Sequence, residues 1–227
     1  YRVTHTSILL SLILGIVIGI FGLIFNRTFL VLMKSPMEVI DLSSQYLFIY
    51  FLGLPFSMVY NFGSALLRST GDTKRPFYFL ASAGVINVLL NLVLVIVFHL
   101  DVAGVAIATI TAQGISALLV VICLLKTSGY CHLNLKEMKL YNEEVKDIIR
   151  IGLPAGFQSM LFSISNVIIQ SSVNSLGPNV MNGNGASNSL EGFVYITMNS
   201  FAQTCITFVS AHYGAHKKEN INKSIIY

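Results

Sequence analysis

Residues 7–26 of this 227-residue chain read SILLSLILGIVIGIFGLIFN and contain no Asp, Glu, Lys or Arg. A helix needs about 20 apolar residues to cross the hydrocarbon core of a bilayer, and lipid permits only helices and closed barrels. Barrel strands alternate apolar and polar residues, which neither this run nor LLNLVLVIVF at 89–98 does. The stretch therefore predicts a membrane-spanning helix, in which Gly15 and Gly19 are spaced for close packing against a neighbouring helix.

The whole chain shares this shortage of charge. Charged residues make up 11% of it and hydrophobic residues 54%, with a mean hydropathy of +0.73. A soluble domain carries about 25% charged residues, so the composition indicates a membrane protein and excludes a disordered chain. Three cysteines are too few for a disulfide scaffold. We find no phosphate-loop, zinc-helix or nucleophile-elbow motif, and we do not expect an enzyme.

Long charge-free stretches recur six times along the chain. Because none of them alternates apolar and polar residues, we predict an all-α, polytopic membrane bundle of six spanning helices. The polar sequence NSLGPNVMNGNGASN at 174–188 is predicted to be a turn between the last two. The spans are expected near 7–26, 40–68, 76–98, 102–125, 151–174 and 187–213, with Pro55 inside the second.

The basic residues predict the orientation of these spans. Twelve of the 14 Lys and Arg residues fall on the segments of one side, and only Arg27 and Lys34 fall on the other. Cytoplasmic loops carry the excess of basic residues, so both chain ends are expected in the cytoplasm and the protein in the plasma (inner) membrane. The net charge of +4 is thereby explained without a nucleic-acid partner.

The longest hydrophilic stretch, 126–150, separates four spans from two. Within it Met138, Tyr141, Val145 and Ile148 recur at spacings of three and four residues. This spacing is typical of an amphipathic helix on the membrane surface. We expect it to connect two parts of the molecule, residues 1–125 and 151–227.

Polar side chains inside the third and fourth spans form the main candidate site. Asn87 and Asn91 are spaced i, i+4, as are Thr109 and Gln113, so each pair occupies one helical face. The two spans join at a short turn around Leu100, which brings the pairs to similar depths. Two interpretations remain. The side chains form hydrogen bonds that hold the helices together, or they form a cation-coordinating or proton-relay site, since amide and hydroxyl oxygens are ligands that suit Na⁺.

Further polar residues lie in the second and last spans. Glu191 is the only acidic residue well inside a predicted span, expected about four residues from the start of the last helix, and an intramembrane carboxylate is a functional candidate. A shallow position facing water is the alternative. The other candidates are Tyr46, Tyr60, Asn61 and Ser64 in the second span and Asn199 and Gln203 in the last.

Several linked motifs resemble those of the multidrug and toxic compound extrusion (MATE) family. They are ALLRSTGDTKRPFYF at 65–79, GVINVLLNLVLVIVF at 84–98 and VAGVAIATITAQ at 102–113, then RIGLPAGFQSMLFSISNVIIQSSVNSLG at 150–177 and SNSLEGFVYITMNSFAQTCITFVSAHYGAHK at 187–217. The resemblance implies helices three to eight of a twelve-helix, two-lobe transporter. Residues 1–125 would then supply four helices of the amino-terminal lobe, 126–150 the cytoplasmic connector, and 151–227 two helices of the carboxy-terminal lobe.

The resemblance also implies roles for individual residues. Asn87, Asn91 and Thr109 fall on the family's amino-lobe cation site, with Tyr46 beside it, and several members carry an aspartate at the position of Asn91. The polar residues assigned to the substrate cavity are Asn61, Ser64, Gln113, Glu191, Asn199 and Gln203.

The sequence thus predicts a cation-coupled efflux antiporter for small amphiphilic organic cations and drugs. It would use Na⁺ or H⁺ as coupling ion, need no other cofactor or metal, sit in the lipid bilayer and act as a monomer when complete. One alternative is a lipid-linked oligosaccharide flippase of the wider superfamily, which would want a strongly basic cavity. Another is a truncated membrane protein that does not transport.

Overall fold

The structure is a computed structural model that describes residues 1–33, 35–127, 129 and 131–214. Its described residues form long helices joined by short connections and contain no strand. The predicted all-α fold is confirmed. The helices are α1 (Arg2–Leu32), α2 (Met37–Ser69), α3 (Lys74–Leu92), α4 (Asp101–Lys126), α5 (Asn142–Ser175) and α6 (Pro178–Gly214).

Five of these helices are long and apolar enough to cross a membrane, namely α1, α2, α3 with the turn that follows it, α4 and α5. Helix α6 has the length of a span, but polar residues such as Asn199 and Gln203 interrupt its apolar positions. The sixth predicted span therefore remains a prediction, although the sixth helix is present.

Helix α3 ends in a π-helical turn, Val93–Val97, before the chain reverses into α4. His99 and Asp101 have φ angles of 50° and 44°, which side-chain-bearing residues seldom adopt. The backbone N–H of Leu100 donates to the carbonyl of Leu94 at 3.0 Å. The predicted short turn around Leu100 is thus present, and it makes α3 and α4 antiparallel neighbours.

Glycines bring α1 and α2 into backbone contact. A Cβ atom built on Gly15 would lie 2.6 Å from the Cα of Pro55, and one on Gly19 would lie 3.0 Å from the carbonyl oxygen of Phe51. A side chain at Gly15 would collide with the backbone of α2, and one at Gly19 would require the Phe51 carbonyl to shift by a few tenths of an ångström. Helix α2 continues through Pro55 and presents this segment to α1.

A buried apolar core lies at the end of the bundle where α1 begins, which we call the inner end. The opposite end, where α1 finishes near Met33, is the outer end. The core consists of Ile8, Leu67, Val120, Leu124, Cys131 and Leu133. Two of its members belong to residues 131–141, the strap, which follows α4. The strap therefore belongs to the bundle and does not hang free of it.

The connector differs from its prediction. The described residues of 126–150 contain a short 3-10 turn, Leu135–Glu137, and then the first turns of α5, which begins at Asn142. The expected separate amphipathic helix is absent from them. Of the residues that predicted it, Met138 packs against the inner core, Tyr141 precedes α5, and Val145 and Ile148 lie on α5. Leu133, which was outside that pattern, inserts into the core.

The polar sequence predicted as a turn is also different. Helix α5 extends to Ser175 and α6 starts at Pro178, so most of residues 174–188 is helical. A proline at the first helical position favours this early start. By contacts within the chain, Tyr1–Ser175 form one compact unit and a second begins at Leu176.

Candidate binding cavity

A cavity of about 510 Å³ opens between α2, α3 and α4. Its wall combines small residues, one leucine, one tyrosine and several uncharged polar side chains, and carries no charged residue among those described. The lining residues are Ser57, Tyr60, Asn61, Leu80, Ala83, Gly84, Asn87, Thr109, Ala112, Gln113 and Ser116.

Three of the four residues predicted on α3 and α4 line this cavity, namely Asn87, Thr109 and Gln113. Asn91 lies one turn from Asn87 and donates from its Nδ2 to the Oδ1 of Asn87 at 3.1 Å. The i, i+4 pairing on α3 is therefore real. It places Asn91 behind Asn87 and leaves Asn87 as the member that faces the cavity.

Two carbonyl oxygens at this place are buried without a hydrogen-bond partner among the described residues: Oδ1 of Asn91 and Oε1 of Gln113. Leaving a buried acceptor unpaired costs about 1–3 kcal/mol. The hydroxyl of Thr109 donates to the carbonyl of Val105 at 2.8 Å, so its oxygen keeps lone pairs for another partner. The interhelical hydrogen bonds of the purely structural interpretation are therefore not made at these two oxygens.

The predicted residues of α2 are distributed differently. Asn61 lines the cavity. Ser64 is fully buried and donates to the backbone carbonyl of Asn61 at 3.1 Å, so it supports the wall from behind. Tyr46 is half-buried and stacks on Tyr50, with 6.1 Å between ring centroids, and is not among the lining residues.

Tyr60, a polar candidate of the second span, also lines the cavity. So do Ser57 and Ser116, which were not predicted from the sequence. The Tyr60 hydroxyl donates to the carbonyl of Pro76 at 3.2 Å and ties α2 to α3. Their spacing could have identified the two serines. Ser57 precedes Asn61 by four residues and Ser116 follows Gln113 by three, so each lies on the same helical face as a predicted residue.

The predicted residues of α6 belong to the second unit. Glu191, Asn199 and Gln203 are all exposed. Because α6 starts at Pro178, Glu191 lies well inside the helix and not four residues from its start as predicted. The assignment of these three residues to a substrate cavity stays a prediction.

A charged pair marks the inner end of α3. Arg75 lies 3.2 Å from Asp72 and donates to the hydroxyl of Thr127, the residue that follows α4, at 3.3 Å. The guanidinium also donates to the Sγ of Cys123 on α4 at 3.6 Å. It therefore links the start of α3 to the end of α4.

Spanning helices around an uncharged polar cavity are typical of a membrane transport protein. The sequence profile of the MatE family matches residues 1–93 and 154–227, and the chain belongs to this family of transporters. The resemblance read from the motifs is thereby confirmed.

Curated relatives agree with this assignment. The chain is 35% identical over 181 residues to the probable multidrug resistance protein YpnP of Bacillus subtilis, covering 80% of this chain and 40% of that protein. It is 29% identical to the probable multidrug resistance protein YoeA of the same species, over 98% of this chain and 50% of that protein. It is 25% identical to the multidrug export protein MepA of Staphylococcus aureus, over 99% of this chain and 50% of that protein. The chain thus spans about half the length of the curated relatives it matches.

Solved structures show the same fold. A MOP superfamily transporter from Pyrococcus furiosus matches with a TM-score of 0.87 at 24% identity, over all of this chain and 50% of that one. A MATE family transporter in an outward-facing conformation matches with a TM-score of 0.82 at 24% identity, over all of this chain and 51% of that one. One in an inward-facing conformation matches with a TM-score of 0.77 at 23% identity, over all of this chain and 52% of that one.

Proposed function

We propose that this chain forms half of a cation-coupled multidrug efflux antiporter that exports amphiphilic organic compounds by alternating access. The observation that carries the proposal is the cavity between α2, α3 and α4, together with the two unpaired buried oxygens beside it. Curated relatives named as multidrug export or resistance proteins support the same substrate class.

The coupling site would lie where α3 and α4 face each other, around Asn87, Asn91 and Thr109, with Tyr46 nearby as the family resemblance implies. Amide and hydroxyl oxygens are hard ligands that suit Na⁺. An amide does not take up a proton at physiological pH, and no carboxylate lines the described cavity. Between Na⁺ and H⁺, these residues therefore favour Na⁺, while a proton would need an acidic group from another part of the complete transporter.

The substrate would enter the same cavity. Its volume of about 510 Å³ falls in the range of pockets that hold drug-sized ligands, about 300–1,000 Å³. Tyr60 and Leu80 offer apolar surface, while Asn61 and Gln113 offer hydrogen bonds that can serve many compounds. A lining without basic residues argues against an anionic, lipid-linked oligosaccharide as substrate.

Transport would follow from rocking of two lobes. A cation that binds one lobe arrangement better than the other shifts the population towards it, and the drug shifts it back, so the two ligands are coupled through that movement. Both chain ends and the strap would face the cytoplasm of a cell whose plasma membrane holds the complete transporter as a monomer.

Transport in inverted membrane vesicles tests this proposal. Vesicles from cells that express the complete transporter carrying this sequence are placed in medium that contains a fluorescent amphiphilic cation, with and without a gradient of Na⁺ that is higher inside the vesicles. We expect gradient-dependent uptake that Asn87→Leu and Thr109→Val abolish. Thr111→Val is the matched control, because Thr111 also donates to its own helix, at the carbonyl of Ile107, and is exposed outside the cavity.

Other results would identify the alternatives. Uptake that the Asn87 and Thr109 variants leave unchanged would reject the assigned cation site. Absence of uptake in every preparation, with the protein present in the membrane, would favour the non-transporting interpretation. Movement of a lipid-linked sugar without movement of the dye would favour the flippase.

A further inference from the structure

One polar residue joins α5 to α1 at the outer end. Asn174 is the buried residue of α5, with 7% of its surface exposed. Its Nδ2 donates to the backbone carbonyl of Met33 at 2.9 Å, across 141 residues of sequence. Met33 follows α1 as its C-terminal cap, where helix carbonyls lack partners within the helix. The bond therefore satisfies a helix end with a side chain from another helix.

The orientation of the Asn174 amide is fixed from within α5. Gln170, one turn earlier, donates from its Nε2 to the Oδ1 of Asn174 at 2.8 Å. With that oxygen engaged, the Nδ2 group points to Met33. Only a residue with an acceptor and a donor at these two positions can make both contacts.

The inner end of α5 is held in a different way. Just before the helix, the backbone N–H of Tyr141 donates to the hydroxyl of Thr6 at 3.3 Å. Upstream, Cys131 and Leu133 of the strap are buried in the inner core. Among the described residues, the strap and α5 are therefore attached to α1 at both ends. The buried apolar core holds the strap at the inner end, and the Asn174 side-chain amide holds α5 at the outer end.

Between the two attachments, the side chains of α5 are not buried against the rest of the described chain. Every residue from 151 to 169 is exposed, so in the described part of the chain this length of the helix is not held against α1. A helix fixed strongly at one end and weakly at the other moves about the strong end. The outer ends of α1 and α5 can thus separate while the inner ends stay together.

We infer that Asn174 is a positioning residue that latches the outer ends of α1 and α5 together and must release Met33 for the cavity to open outward. This inference rests on the proposed function, in which α1 and α5 belong to the two lobes that rock. A net hydrogen bond of ordinary strength, lost from one state only, changes the ratio of the two states about fivefold.

Labelling of a reporter cysteine tests the latch. Gly84→Cys places a thiol in the cavity wall, where a Cβ atom meets nothing within 4 Å. In whole cells, a membrane-impermeant maleimide should label this reporter about fivefold faster when Asn174→Asp is added, because a carboxylate accepts from Gln170 but cannot donate to Met33. Ser172→Ala is the control, since Ser172 is exposed and bonds within α5. Equal labelling with and without Asn174→Asp overturns the inference.

A cross-link provides a test that does not depend on the Asn174→Asp variant being stable. Met33→Cys and Asn174→Cys are combined and joined with a short bifunctional thiol reagent that reduction can cleave. These variants carry no Gly84→Cys reporter, because the reagent would also modify that thiol. We expect the cross-linked transporter to lose dye export and reduction to restore it, while the single-cysteine variants, treated alike, keep export. Unchanged export by the cross-linked protein overturns the inference.

The two measurements separate the latch from the proposed function. Reporter labelling needs no transported compound. If the unsubstituted transporter exports no dye but Asn174→Asp still speeds labelling from outside, the efflux function fails and the latch stands. If dye is exported and labelling does not respond, the latch fails and the function stands.

Discussion

The Nε2 atom of His5 accepts a hydrogen bond from the backbone N–H of Asn134 at 3.0 Å, across 129 residues of sequence. The ring is fully buried, and its Nδ1 lies 2.8 Å from the carbonyl oxygen of Tyr1, to which it donates. Both ring nitrogens are therefore engaged. Together with the bond from Tyr141 to Thr6, this side chain fastens the strap to the start of α1.

Replacing His5 by Leu should loosen the strap. The N–H of Asn134 would lose its acceptor, which costs about 1–3 kcal/mol, so the exposed Lys136 and Lys139 should be cut faster by trypsin in inverted vesicles. His132→Ala is the control, because the Nδ1 of the His132 ring bonds to the carbonyl of Thr127 within the same connection. Equal digestion of the two variants would show that His5 does not hold the strap.

Replacing Gln113 by Leu separates a binding role from a structural one. Its Oε1 is buried without a partner in the described residues, so an apolar side chain of similar volume should leave thermal stability unchanged or raise it by about 1 kcal/mol. Transport should fall, because a cavity ligand is lost. A clear drop in melting temperature, measured in detergent, would instead assign Gln113 to helix packing.

Adding a methyl group at Gly15 should separate α1 from α2. The new Cβ would lie 2.6 Å from the Cα of Pro55, a backbone atom that cannot rotate away. We expect Gly15→Ala to lower the stability of the detergent-solubilised protein by about 1–3 kcal/mol. Gly84→Ala, where the Cβ meets nothing within 4 Å, should leave stability unchanged. Similar losses in both variants would refute the close contact.

Thiol labelling should establish which side of the membrane each end of the bundle faces. Asp41, whose side chain is 80% exposed, lies at the outer end, and Lys136 lies in the strap. In whole cells an impermeant maleimide should label Asp41→Cys and not Lys136→Cys. In inverted vesicles it should label Lys136→Cys and not Asp41→Cys. Labelling of the unsubstituted protein is subtracted in both cases. The opposite pattern would reverse the predicted orientation.

The sequence predicted the helices well where length and charge are decisive. A run of apolar residues such as 7–26 has no other stable form in lipid, so the existence of the first four spans and the turn near Leu100 followed directly. It failed at 174–188, where Gly and Asn suggest a turn, because helix propensity is a weak preference that the surrounding chain overrides. It also failed in the connector, where Leu133 packs into a core that no helical spacing reveals and α5 begins only at Asn142.

The candidate site was predicted in part. The i, i+4 spacing correctly placed Asn87 and Asn91 in contact, and equal depth from the turn correctly brought Thr109 and Gln113 into reach of Asn87. Spacing along one helix does not say which member of a pair faces a third helix. For that reason the sequence did not show that Asn87 lines the cavity while Asn91 lies one turn from it, and the contributions of Ser57 and Ser116 were missed.

The sequence alone determined that this chain is a bundle of membrane helices of the MatE family, because exclusion of charge from lipid and linked motifs are properties of the order of residues. Only the tertiary structure decided which polar side chains share a cavity, that His5 binds Asn134, and that Asn174 reaches Met33. These contacts join residues far apart in the chain, and their distances follow from how whole helices pack. No local pattern encodes that packing.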